Sequence, residues 1–119
     1  MFIFAYGSLK KNFKFHYYLE NSEFISTGVT KNKYAMYEYY DAGFPYLSKE
    51  EIFNVKGEIY KIDKKTLKEL DKLEGYPTFY DRELIDINLE NGENIKAYTY
   101  FLKETIKNIS KPMNNWLKE

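Results

Sequence analysis

Hydrophobic residues recur along the chain with two spacings, and each spacing predicts its own kind of element. Residues 2–6 (Phe-Ile-Phe-Ala-Tyr) are apolar on both parities, as a short strand buried on both faces requires. Gly7-Ser8 breaks that run, and residues 13–19 read as a short helix. Segments 24–30 and 33–40, rich in Ile, Val and Tyr, read as strands. Residues 52–62 read as another strand, with Gly57 expected at a bend or bulge. The spacing then becomes helical at Leu67, Leu70 and Leu73. Asp63 is placed to cap a helix over 64–74, and Gly75 and Pro77 to end it. Strands over 79–89 and 94–102 flank Asn91-Gly92, the strongest two-residue hairpin signal. Mostly strand with one clear helix, the pattern predicts a small barrel with appended helices. A length of 119 residues suits a single domain over 1–119.

Composition adds an aromatic bias of 13 Tyr, 9 Phe and 1 Trp, so this short chain can bury a large area while tyrosines line an opening. Eighteen basic residues balance eighteen acidic ones, which leaves no net field to gather nucleic acid or an anionic membrane. Lys10-Lys11 and Lys64-Lys65 read as solvated surface lysines. Cysteine is absent and His16 is the single histidine. Disulfides, thiolate nucleophiles and Cys/His metal clusters are thereby excluded; an all-carboxylate site for magnesium or calcium stays open, although no EF-hand-like spacing appears. No cofactor is expected. The apolar run at the N-terminus is far too short to span a bilayer, and the expected location is cytoplasmic.

One charge breaks the helical pattern. With Leu67 at zero and about 100° per residue, Leu70, Leu73 and Glu74 fall near 300°, 240° and 340°. Lys65, Lys68, Glu69 and Lys72 fall on the opposite side. Glu74 thus lies roughly 40° from the centre of the leucine stripe. It also stands at the helix C-terminus, where the macrodipole disfavours a carboxylate by ~0.3–1 kcal/mol. Both features raise a carboxyl pKa and suit a general acid/base. The structural alternative is an ion pair with Arg82, or a frayed helix end that releases Glu74 to solvent. Upstream, Tyr6-Gly7-Ser8-Leu9 joins a strand to a helical segment, where free backbone N–H groups can meet a ligand; an ordinary turn has the same composition.

Together these segments resemble the gamma-glutamyl cyclotransferase-like superfamily. The likeness runs through Phe4-Ala5-Tyr6-Gly7-Ser8-Leu9 with Lys10, Asn12 and His16, then Gly43-Phe44-Pro45 and Val55-Lys56-Gly57-Glu58-Ile59-Tyr60. It is sharpest at Leu70-Asp71-Lys72-Leu73-Glu74-Gly75-Tyr76-Pro77 with Tyr80 and Arg82, and it closes with Pro112 and Trp116. Leu9 is similar to the compact subgroup that holds gamma-glutamylamine cyclotransferases and avirulence-induced proteins. The resemblance implies an α+β fold, a small mixed β-barrel flanked by helices. It also implies an enzyme that converts a gamma-glutamyl amine or gamma-glutamyl amino acid to 5-oxoproline and a free amine. Glu74 is then catalytic, and Tyr6, Gly7, Ser8, Leu9, Tyr80 and Arg82 bind substrate; Tyr80 and Arg82 either orient Glu74 or support the barrel wall. The expected partner is a small-molecule gamma-glutamyl substrate, without nucleic acid or membrane, in a monomer or weak homodimer. Ser8 lacks a G-x-S-x-G elbow and reads as a binding contact, while His16 reads as packing or capping. The alternatives are a non-catalytic small-ligand-binding module on the same barrel, and a barrel that stacks single-stranded nucleic acid on its tyrosines, which zero net charge opposes.

Overall fold

A computed structural model describes residues 1–39, 42–104 and 110–117. Five strands close into a barrel: β1 (Phe2–Ala5), β2 (Glu23–Thr30), β5 (Lys56–Lys61), β6 (Tyr80–Leu89) and β7 (Asn94–Leu102), in the order β1-β5-β2-β6-β7. The barrel is mixed, because β1 pairs antiparallel with β5 and parallel with β7. β1 therefore has a partner on each edge, and its side chains alternate between two buried clusters. Ile3 and Ala5 enter one and Phe4 and Tyr6 the other, which explains why the segment is apolar on both parities.

Strands β3 (Tyr34–Glu38) and β4 (Pro45–Phe53) form a separate two-stranded sheet. Here the structure corrects the sequence reading. The strand expected over 52–62 is the tail of β4 followed by β5, with a crossing at Asn54-Val55. Asn54 Nδ2 donates to the carbonyls of Thr30 and Lys31, and the Val55 amide donates to Thr30 Oγ1 at 2.9 Å. The chain leaves one sheet there and enters the other. The bulge expected at Gly57 lies instead in β2, between Phe24 and Ser26. Gly57 is kept small by packing, since a Cβ there would stand 2.6 Å from the Phe4 ring. The strand expected over 33–40 ends at Glu38, and Tyr40 lies outside the described residues.

The helix expected over 13–19 contracts to one 3-10 turn at His16–Leu19, preceded by successive turns. Bonds of the i→i+3 kind run from Lys10 N to Gly7 O and from Phe13 N to Lys10 O, while Asn12 adopts φ 73. The left-handed residue and the aromatic side chains oppose a regular helix. By contrast α1 spans Lys64–Glu74 as expected. Asp63 Oδ1 accepts from the Thr66 amide at 2.8 Å at one end. At the other, Gly75 takes a left-handed conformation (φ 69) and its amide closes the helix. Leu70 is fully buried beneath it, beside Ile3, Tyr80 and Tyr100.

Candidate active site

The end of β1, the end of α1 and the starts of β4 and β6 converge around a cavity of about 310 Å³. Its lining includes Tyr6, Gly7, Ser8 and Leu9, then Glu74, then Tyr80 and Tyr100, with Phe15, Phe44 and Phe79 as aromatic walls. Four segments far apart in sequence thus meet at one hollow.

The loop after β1 is built by its carbonyls. Gly7 O accepts from Lys10 N at 3.0 Å, Ser8 O from Phe15 N at 2.9 Å, and Leu9 O from His16 Nδ1 at 2.9 Å. His16 packs its ring against Tyr60 and so braces the loop, in the packing role read from the sequence. With those carbonyls engaged, the amides of Gly7, Ser8 and Leu9 have no acceptor among the described residues. Gly7 is fixed by close approach, because a Cβ would meet Pro45 Cγ at 2.4 Å. The loop therefore rests directly on the first residue of β4.

Glu74 is the last residue of α1 and lines the same cavity. Among the described residues no hydrogen bond or ion pair reaches its carboxyl. Burial pushes its pKa up to about 7. Glu74 keeps partial solvent contact and lines the hollow. Tyr6, Tyr80 and Tyr100 feel its charge, which together with burial holds all three phenols well above their ordinary range. Their hydroxyls have fixed directions: Tyr6 donates to the Tyr100 carbonyl at 3.0 Å and Tyr80 to the Pro45 carbonyl at 3.2 Å. Three neutral phenols stand around the acid, which has no ion partner among the described residues, and Lys14 is the cation among the cavity's described lining residues.

Arg82 behaves differently from the other predicted site residues. It lies outside the cavity lining, and its guanidinium pairs with Asp71 instead of Glu74. It stacks over the rings of Tyr76 at 4.6 Å and Tyr98 at 5.0 Å. Tyr6, Gly7, Ser8, Leu9, Glu74 and Tyr80 are brought together; Arg82 stands behind them. Sequence reasoning missed Phe15, Phe79 and Tyr100 as lining residues. For Tyr100 a signal existed: Tyr98, Tyr100 and Leu102 occupy one parity of β7 and join one buried cluster. Among the described residues no three His, Cys, Asp or Glu side chains gather as metal ligands, and no helix is long and apolar enough to cross a membrane.

One hollow at the end of a mixed barrel is thus lined both by an acid without an ion partner among the described residues and by the loop of residues 6–9. The sequence profile described as "Gamma-glutamyl cyclotransferase, AIG2-like" matches residues 3–118, and the chain belongs to that family. A Methanocaldococcus jannaschii protein named "Putative gamma-glutamylcyclotransferase" is 46% identical over 106 residues, covering 87% of this chain and 86% of its own. Gamma-glutamylaminecyclotransferase A of Danio rerio is 33% identical over 110 residues, covering 82% of this chain and 66% of its own. The crystal structure of an AIG2-like protein from Mus musculus superposes with a TM-score of 0.79 at 26% identity, covering 86% of this chain and 76% of that one.

Proposed function

We propose that this protein is a cyclotransferase that closes the glutamyl part of a gamma-glutamyl amine or gamma-glutamyl amino acid into 5-oxoproline and frees the amine. The observation that carries the reading is Glu74, an acid with a pKa near 7 and no ion partner, lining one hollow with the amides of residues 7–9. Family membership and the names of the relatives support the reaction class.

In the substrate, the alpha-nitrogen attacks the gamma-carbonyl carbon of the same molecule. A C–N bond forms in a five-membered ring as the C–N bond to the departing amine breaks. At neutral pH the attacking nitrogen begins as an ammonium ion, so it needs a base. The two protons it loses on becoming a lactam nitrogen equal the two that the departing nitrogen gains on leaving as an ammonium ion. Glu74 carries protons between the two nitrogens, and a pKa close to the working pH lets it both accept and donate. Nucleophile and electrophile belong to one molecule, so holding the folded conformer supplies much of the rate. The amides of Gly7, Ser8 and Leu9 anchor the glutamyl oxygens and meet the charge that develops on the carbonyl oxygen. Tyr6 and Tyr80, with hydroxyls tied to backbone carbonyls, keep the walls rigid. Arg82 acts from behind the wall, without direct contact to the substrate.

The test is a screen of gamma-glutamyl amides, including gamma-glutamyl-lysine and gamma-glutamyl amino acids, for 5-oxoproline release. At least one should be turned over. Binding of 5-oxoproline in a thermal-shift assay, without turnover of any amide, would assign the same hollow to a binding module.

A further inference from the structure

Beyond the role proposed for Glu74, and resting on it, the geometry assigns a task to the residue one helical turn earlier. Asp71 and Glu74 are three positions apart on α1, so their Cβ atoms are neighbours at about 5–6 Å. Arg82 enters from β6 two residues after Tyr80, on the same face of that strand. A single guanidinium thus stands beside a helix edge that carries two carboxyls, and Asp71 holds it. Arg82 Nη1 donates to Asp71 Oδ2, with the side chains only 20% and 19% exposed. The other oxygen, Asp71 Oδ1, accepts from the Tyr100 hydroxyl at 2.8 Å. Asp71 is therefore tied to β6 and β7 at once. Arg82 is clamped between the rings of Tyr76 and Tyr98.

We propose that Asp71 is a positioning residue for the reaction: it anchors the Arg82 guanidinium one turn short of Glu74, and so keeps the proton-transfer carboxyl without a cationic partner. The described groups that face Glu74 agree with such isolation. Tyr6 from the end of β1, Tyr80 from β6 and Tyr100 from β7 are neutral phenols. Lys14, from the loop after β1, is a cation on the same cavity, but it is exposed and makes no ion pair with Glu74. On α1 itself, Glu69 and Lys72 pair with each other on the solvent side. Released from Asp71, Arg82 has Glu74 as the neighbouring carboxyl on that helix edge. A cation there favours the ionised acid and pulls it away from the neutral range in which proton transfer is efficient.

The experiment is a carbon-detected NMR titration of the Glu74 side-chain carboxyl in the full chain. It is run on the wild type, on Asp71→Asn (which keeps an oxygen acceptor for Tyr100) and on Asp71→Asn/Arg82→Gln. In Asp71→Asn the midpoint should fall by at least about one pH unit, and the acid limb of kcat/KM for 5-oxoproline release should fall with it. The double variant should return the midpoint to the wild-type value. A folded Asp71→Asn protein with the wild-type midpoint overturns the proposal, as does a lowered midpoint that persists in the double variant. Arg82→Gln alone approaches the pair from the other side, and is informative even where Asp71→Asn does not fold. Its midpoint should match the wild type, and a rise would mean that Arg82 already acts on Glu74. The titration needs no substrate, so missing turnover in the wild type rejects the cyclotransferase reading and leaves the result on Asp71 standing.

Discussion

Glu74 holds its proton to about pH 7, whereas an exposed glutamate is already ionised above pH 5, and the cause is burial without a partner. The sign of the effect on stability follows. Between the ordinary value of 4.5 and about 7, the folded protein binds more protons at this site than the unfolded chain. Raising pH across that window therefore removes stability, up to about 3 kcal/mol for a shift of this size. Glu74→Gln removes the penalty. The variant should match the wild type near pH 4 and melt at a higher temperature above pH 7, with the gap opening through the window. Denaturation curves at pH 4 to 8 check this, and a variant less stable than the wild type at pH 8 would reveal an ion pair at Glu74. The inward acid was legible from sequence because one charged side chain interrupts a leucine stripe. Its lack of a partner was not, because whether Arg82 meets Glu74 or Asp71 depends on how β6 lies against α1.

Elements with strong local signals were legible, and those set by tertiary pairing were not. α1 has an N-cap, a periodic stripe and a left-handed glycine stop, and its observed span coincides with the expected one. The hairpin of β6 and β7 was marked by Asn91-Gly92 and pairs continuously from Tyr80↔Leu102 to Asn88↔Asn94. The first part of β4 was missed because Lys49, Glu50 and Glu51 interrupt its apolar pattern, and its last two residues, Ile52 and Phe53, were joined to the strand expected over 52–62. That omission matters, since Pro45 at the start of β4 is what Gly7 rests upon. Gly7→Ala should therefore displace the loop. With a Cβ only 2.4 Å from a rigid proline ring, a loss of about 1–3 kcal/mol is expected from overpacking. KM for the gamma-glutamyl substrate should rise as well. An unchanged melting temperature together with an unchanged KM would show that the contact does not fix the loop.

At the scale of the whole molecule, the ends of β1 and α1 and the starts of β4 and β6 assemble one hollow, and a C-terminal segment secures it from outside. Lys10, directly after the loop amides, is buried and donates from Nζ to Asn115 Oδ1 at 2.9 Å and to the Trp116 carbonyl at 2.6 Å. Removal from water lowers its pKa, and the Phe13 ring lies 5.0 Å from the ammonium. The sequence placed Lys10 among solvated surface lysines. Its burial was not legible there, because its partners lie more than 100 positions away. Barrel closure, with β1 parallel to β7, is likewise a property of the assembled chain. Among the described residues that line the hollow, Glu74 is the one acid, so the proposed chemistry converges on its carboxyl. The most direct measurement is 5-oxoproline release by Glu74→Gln beside the wild type, on a gamma-glutamyl amide that the wild type turns over, with folding verified. Loss of a positioned acid/base should cut kcat by about 10²–10⁴-fold with the fold intact. Turnover by the folded variant within a few-fold of the wild type would contradict Glu74 as the proton-transfer group.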